Sequence, residues 1–317
     1  MVIRKRTIFI FLFIILISSS LILLPKASKG KVKVYKVSVI VRGKSSEVWR
    51  IVKNGMEQAA SDLNVNVSFI TLIEDNSVEE QKELIKREIM NGTDGILISP
   101  ADYSSLSKLI EDLRKEIPIV LFESNIETKE NFTYISCDNY ELGRKLANEV
   151  IKNGNTRSKI IILRSGFNIS SEKEKYEGFI DEISLSQNTY EFIDLPKDDA
   201  EIYKSISEIL KNQDTKVLVA FEPNILEIAG KAKKDYFSEA GLYGTGSTSL
   251  IISLMEEKII NAIAMQNEFN LGYLGMKAMV SEIENEKIKE SKITSTTINI
   301  YNMYSEENQR MLFPIIR

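Results

Sequence analysis

The sequence predicts an α/β protein built from two doubly wound parallel sheets, and three observations carry that prediction. Short continuous apolar runs alternate with amphipathic helices, the pattern of parallel strands covered on both faces. From residue 34 onward this format runs through twice, with short loops and no fixed-period repeat. The segments that follow the apolar runs are polar, which puts hydrogen-bonding groups at the carboxyl ends of the strands, where open parallel sheets take ligands.

An apolar stretch precedes the first unit. Arg4, Lys5 and Arg6 lead into IFIFLFIILISSSLILL (8–24), which carries no charge. That length lies at the short end of a membrane span, and the basic flank places residue 25 onward outside the cytoplasm. A cleaved signal peptide has the same charge pattern, although this run is long for one and PKASKG offers no clean small-x-small site. Residues 1–30 are therefore expected to be a signal-anchor or a signal peptide, with membrane association in the first case and a secreted form in the second.

The first unit opens with VSVIV (37–41), and EVWRIVKNGMEQAASDL (47–63) then lines up Val48, Ile51, Val52, Met56 and Ala59 on one helical side. VSFITL (67–72), a helix at 77–91, GILIS (95–99) and IPIVLF (117–122) follow. A second round reads TYIS (133–136), KIIIL (159–163), YEFIDL (190–195) and KVLVA (216–220), with helices near 140–153, 172–185 and 199–211. A helix near 223–237, the GLYGTG region (241–246), a strand-like IINAIAM (259–265), a helix at 269–286 and the strand TTINIY (296–301) complete the chain. Ser45 or Ser46, Asp102, and Ser170 or Ser171 are placed to start helices.

Composition removes several function classes. Histidine is absent, so imidazole catalysis, a Ser-His-Asp triad and histidine-ligated metals are excluded. Cys137 is the only cysteine; it can form neither an intrachain disulfide nor a thiolate cluster, and after an apolar strand it reads as a small core filler. A formal charge of −4, with basic residues scattered beside glutamates, gives no nucleic-acid footprint. No phosphate-cradling GxxxxGK occurs. No cofactor, metal or catalytic residue is expected. Trp49, the only tryptophan, stands at the mouth of a strand–helix turn. Two placements are open: packing beneath the rim, or lining a cleft as a flat apolar wall with its indole N–H available.

The segments VSVIVRGKSSEVWRIVKNGMEQAA, GTDGILISPAD, IPIVLFES, YISCDNYELGRKLA, EKYEGF, VLVAFEPNILEIAGKA and IAMQNEFNLGYLGMKAM follow one another in that order. On these segments, over about residues 35–305, the chain resembles the sugar-type periplasmic binding proteins, the ribose- and galactose-binding family of type I fold. The resemblance implies two Rossmann-like lobes joined by three crossings and closing on a ligand. The crossings fall at 137–139, at Gln266 and near 294–298, so one lobe comprises 34–137 plus 266–294 and the other 138–265 plus 295–317.

Matching positions one at a time, Trp49 keeps one of the family's two sugar-stacking aromatics, Val48 replacing the other, and Ser46 matches a polar contact before them. Glu123 stands where an aspartate grips sugar hydroxyls, and Ser124 replaces the neighbouring arginine. Lys173 takes the place of a ligand-facing arginine. Glu222 and Pro223 replace an asparagine and an aspartate, Gly246 replaces another aspartate, and Gln266 retains the hinge glutamine. Asp138 and Asn139 match hinge supports. The implied ligand-binding set is thus Ser46, Trp49, Glu123, Lys173, Glu222 and Gln266.

The resemblance implies reversible extracytoplasmic binding of a small polyhydroxylated ligand, a monosaccharide or derivative, serving an ABC permease or a membrane sensor-kinase ectodomain. Two other readings are carried. One is a ligand-free interaction module, which a cleft filled by the protein's own side chains would favour. The other is a glycoside hydrolase using Glu123 and Glu222 as opposed carboxylates.

Overall fold

Alternate side chains of each apolar run face opposite helical layers, which is why whole strands such as GILI and VLVA are buried. The computed structural model describes residues 33–212, 215–286 and 293–313. The N-terminal apolar helix expected within 1–30 lies outside them, and no helix among the described residues is long and apolar enough to cross a membrane. Tyr35–Arg317 form one compact unit.

In the first lobe, β1 (Tyr35–Ile40), β2 (Val65–Ile70), β3 (Gly95–Ile98), β4 (Ile119–Phe122) and β5 (Thr133–Ile135) run parallel in the order β2-β1-β3-β4-β5. Helices α1 (Glu47–Leu63), α2 (Val78–Met90) and α3 (Ser107–Leu113) connect them. The sequence grouped TYIS with the second round; instead it pairs with β4, Phe122 opposite Ile135, and closes the first sheet. Buried Ile135 joins the core there, and the Thr133 hydroxyl donates to Glu282 at 2.9 Å, so burial and polar pairing both hold it. Asp102 does not cap α3. Its carboxylate accepts from the Ser104 and Ser105 N–H groups in a turn, and the helix begins only at Ser107.

The second lobe contains β6 (Lys159–Arg164), β7 (Thr189–Asp194), β8 (Val217–Ala220), β9 (Gly241–Thr245), β10 (Ala262–Gln266) and β11 (Ser295–Asn299), ordered β7-β6-β8-β9-β10-β11. Its helices are α4 (Asn139–Lys152), α5 (Ser170–Ser184), α6 (Asp199–Lys211), α7 (Pro223–Asp235) and α8 (Ser249–Glu256); α10 (Glu306–Leu312) follows β11. Only β11 is antiparallel, pairing with β10 from Ala262–Asn299 to Gln266–Ser295. Between these two strands the chain visits the first lobe as α9 (Glu268–Ile283), which packs on α1, β3, β4 and β5. It therefore re-enters the second sheet from the hinge side, running opposite to β10.

Three segments thus pass between the lobes: β5 to α4, β10 to α9, and α9 to β11. The last two are tied, since the Asn267 N–H donates to the Thr294 carbonyl at 2.9 Å. One apolar cluster also runs through the join, linking Val39, Leu97 and Phe122 with Ile135, Cys137 and Leu142 and on to Phe179 and Phe221.

Paired glycines set the closest helix crossings. A Cβ on Gly55 of α1 would lie 2.0 Å from the Phe269 carbonyl oxygen, and one on Gly272 of α9 would lie 2.0 Å from that of Val52. The second lobe repeats the device with Gly143 of α4 against Lys175 and Gly178 of α5 against Tyr140, both at 2.0 Å. At these four positions only hydrogen fits between backbones.

Candidate functional site

In both sheets the strand order reverses direction beside an early strand, at β1/β3 and at β6/β8. Loops leave such a switch point in opposite senses and open a crevice at the strand carboxyl ends. Arg42 and Ser99 follow β1 and β3; Ser165 and Glu222 follow β6 and β8. The two rims meet.

At the centre is Glu123, one residue beyond β4 and 8% exposed. Its φ of 62° lies in the left-handed region, which costs a non-glycine residue about 1–3 kcal/mol. The surroundings hold it there: its N–H donates to the Ile135 carbonyl at 2.9 Å, and its own carbonyl accepts from Tyr134 Oη at 3.1 Å and Ser136 Oγ at 3.2 Å. The carboxylate receives both arms of the Arg42 guanidinium, Nε at 2.9 Å and Nη2 at 3.1 Å. It also accepts from Ser99 Oγ at 2.8 Å and, across the cleft, from Ser171 Oγ at 3.0 Å. Burial works to raise this carboxyl, but Arg42 outweighs it and holds the group at about 2. Conversely, Glu123 and Glu172 overcome burial and hold Arg42 as a firmly charged cation.

Arg42 reaches Glu172 of the second lobe at 3.2 Å, and the rims carry further direct bonds. Ser170 Oγ accepts from the Asn125 N–H at 2.7 Å and lies 3.0 Å from Ser124 Oγ. The Tyr103 N–H donates to the Asn168 carbonyl at 2.8 Å, and the Ser249 N–H and hydroxyl donate to Glu47 at 2.9 and 2.6 Å. The lobes are in contact along both edges of the cleft.

The sequence-derived residues separate into two groups. Trp49 packs edge-on against Phe122, with ring centres 6.2 Å apart, and its indole nitrogen lies over Gly43, where a Cβ would be 2.6 Å away. Glu222 accepts the Ser165 N–H at 2.9 Å and its charge reaches Arg42. Gln266 donates to Glu268 at 3.2 Å, while its Oε1 is buried without a partner. These three share the cleft region with Glu123. Ser46 and Lys173 do not join them. Ser46 caps α1, its hydroxyl accepting from the Trp49 N–H at 3.3 Å. Lys173 stands on the solvent side of α5, 68% exposed and 4.0 Å from Glu177, because the inward positions of that helix are taken by Ser171, Glu172, Lys175 and Tyr176. Asp138 caps α4 by accepting from the Glu141 N–H at 2.9 Å. Asn139, buried at the first crossing, bridges Ser136 at 3.2 Å and Glu174 at 3.1 Å.

Several cleft residues were not singled out from sequence: Arg42, Ser99, Glu172, Lys175, Tyr176 and Glu268. Arg42 sits directly before the GKSSEVW rim, and Glu172 and Lys175 flank Lys173 on a helix face that one turn of periodicity locates. Burial raises the Glu172 carboxyl, reinforced by the charge of Glu222, against the pull of Arg42 and Lys175. Glu268 keeps part of its residue surface in solvent, but enclosure of its carboxyl raises it to about 8, with Lys175 opposing.

That environment gives a pH prediction. Glu268 titrates above its ordinary 4.5 when folded, so the folded state binds the extra proton between 4.5 and about 8. The contribution is full below the lower value and is lost as pH rises through the upper one. Glu172 acts in the same sense, while Glu123, held at about 2, stays ionised across that window. Urea midpoints measured from about pH 5 to about pH 8.5 should therefore fall, and Glu268→Gln should reduce the slope. An unchanged slope in that variant would refute the assignment.

The periplasmic binding protein domain family matches residues 37–287. A curated relative, the ribose import binding protein RbsB of Bacillus subtilis, is 23% identical over 154 residues, 48% of this chain and 50% of the relative. The chain thus spans about half the length of that relative. Among solved structures, an ABC transporter solute binding protein from Agrobacterium vitis with bound D-fucose has a TM-score of 0.82 at 19% identity, covering 88% of this chain and 100% of the other. A carbohydrate transporter solute binding protein from Agrobacterium radiobacter, in complex with D-arabinose, gives 0.80 at 18%, covering 88% and 99%. A XylFII–LytSN complex gives 0.75 at 23%, covering 84% and 98%. At such identities the likeness is one of fold. The family match, running through both sheets and all but the last crossing, shows that this chain belongs to the periplasmic binding proteins.

Proposed function

We propose that the chain binds a small polyhydroxylated solute, a monosaccharide or derivative, outside the cytoplasm by closing its two lobes. The observation that carries this reading is the convergence of groups from both switch points on one spot: Arg42, Ser99 and Glu123 from one lobe, Ser171 and Glu172 from the other. A solute drawn between such rims gains hydrogen bonds from each, and each buried hydroxyl left without a partner costs about 1–3 kcal/mol, which separates stereoisomers. The relatives found with D-fucose and D-arabinose support a sugar as the solute. We take the lobes as 34–137 plus 266–294 and 138–265 plus 295–317. Trp49, Glu123, Glu222 and Gln266 face the ligand, with Lys175 in the role that the sequence suggested for Lys173. Binding proceeds without turnover. The closed form is presented to an ABC permease or to a sensor-kinase ectodomain, and an anchor in residues 8–24 keeps it at the membrane.

Because Trp49 is the only tryptophan and touches the cleft wall, its fluorescence reports ligand directly. Titration of the full chain in mild detergent with a monosaccharide panel should give heat and a shift in Trp49 emission for at least one sugar. Silence in both signals across the panel would overturn the reading. One observation favours a second reading, an interaction module without ligand: Arg42 itself joins the two lobes through Glu123 and Glu172. That reading expects X-ray scattering to show a closed particle whose dimensions no sugar alters.

A further inference from the structure

The cleft closes on the protein's own groups. Each oxygen of the Glu123 carboxylate already accepts two hydrogen bonds: Oε2 from Arg42 Nε at 2.9 Å and Ser99 Oγ at 2.8 Å, Oε1 from Arg42 Nη2 at 3.1 Å and Ser171 Oγ at 3.0 Å. These donors fill the roughly four acceptor sites of a carboxylate, and Ser171 belongs to the opposite lobe. A solute hydroxyl reaches this group only by displacing one of them. The rims are joined as directly. Glu47 of α1 accepts the Ser249 N–H and hydroxyl at 2.9 and 2.6 Å. That N–H is an orphan donor in the first turn of α8, where a carboxylate is favoured, and Thr248 caps the helix through the Ile251 N–H and leaves it to Glu47. The Asn125 N–H donates to Ser170 Oγ at 2.7 Å, and the Tyr103 N–H to the Asn168 carbonyl at 2.8 Å. Every one of these bonds needs the lobes in contact. None needs a solute.

We infer that these contacts form a latch: the closed form is the resting state of the unliganded chain, and a solute enters only through an opened minority. The latch is a property of the two lobes and does not depend on what the solute is. Its strength sets how much of the chain is open, and apparent affinity falls by that fraction. Glu47 and Ser249 thereby tune affinity through each other, without bonding to the solute.

The test is hydrogen exchange read at single amides of the full chain in mild detergent, with no sugar present. The Tyr103, Asn125 and Ser249 N–H groups all donate across the cleft, so opening frees the three together. In the unaltered chain they should exchange about 100-fold or more slowly than in an unstructured peptide. Glu47→Ala should speed the Tyr103 and Asn125 amides, which Glu47 does not bond, by about ten-fold. Ser171→Ala should do the same for the Ser249 amide, which Ser171 does not bond. Amides bonded within one lobe, Ile96 to Pro118 and Asn261 to Leu242, should keep their rates in both variants. Peptide-like exchange at the three cleft amides of the unaltered chain overturns the latch. So does the absence of acceleration in the variants, or acceleration that spreads to Ile96 and Asn261. No arm contains a sugar, so the monosaccharide reading stands or falls separately.

Discussion

Arg42→Met is expected to lower the free energy of unfolding by about 3–5 kcal/mol, the range for removing one partner of a buried ion pair. The methionine keeps most of the stem volume and deletes only the fork, so the loss reports charge and hydrogen bonding. Glu123 then retains Ser99 and Ser171 as donors but loses both guanidinium bonds, in a residue 8% exposed. Glu172 loses the one cationic contact it has within hydrogen-bond reach among the described residues. Replacing the pair together, Arg42→Met with Glu123→Met, should recover the part of the loss that comes from stranding the Glu123 charge, while Glu172 still lacks its guanidinium partner and Ser99 and Ser171 lose their acceptor. A double-mutant cycle in urea measures the coupling directly. A single-variant cost under about 1 kcal/mol would mean that the network is solvated and contributes as little as a surface pair.

The second large effect lies at the helix crossings. Gly272→Ala should destabilise by about 3 kcal/mol, the upper part of the usual range for overpacking, since the new methyl group meets the Val52 carbonyl and no flexible side chain can yield. Gly178→Ala, set against the Tyr140 carbonyl, should behave alike in the other lobe. Gly154→Ala is the control: its φ is 84° but nothing lies within 4 Å, so only the backbone penalty of about 1 kcal/mol applies. Equal losses at Gly272 and Gly154 in a denaturant series would remove the case for close approach.

How much of this was legible in sequence depends on what kind of signal each element leaves. Long strands and helices leave a periodic one: KIIIL fell within β6, and the helix expected at 199–211 has those bounds. The seven- and eight-residue helices α10 and α8 had no counterpart, because two turns carry too few apolar positions to establish a period. Strand pattern alone grouped β5 with the second round, because three residues give no indication of which sheet they join, whereas the lobe bound of 34–137 implied by the resemblance included it in the first. At the cleft, Glu123 and Gln266 came from the resemblance, matched position by position, and Trp49 was singled out as the only tryptophan, at the mouth of a strand–helix turn. Lys173 against Lys175 is a question of helical phase, and two residues of offset turn a side chain from solvent to cleft. Arg42 was overlooked for a different reason: a lone arginine after a strand resembles any rim residue until the fold brings Glu123 and Glu172 to it.

Helix α9 has a consequence for biogenesis. Its sixteen residues cover a sheet whose own strands end at Ile135, yet they are not made until residue 283 has been polymerised. During synthesis the amino-terminal half therefore exposes the face that Gly55 reserves for Phe269, and it gains its final partner only near the end of translation. Such distant pairing raises contact order and delays folding. A nascent chain kept incomplete in this way remains threadable, the state that passage through a translocon requires.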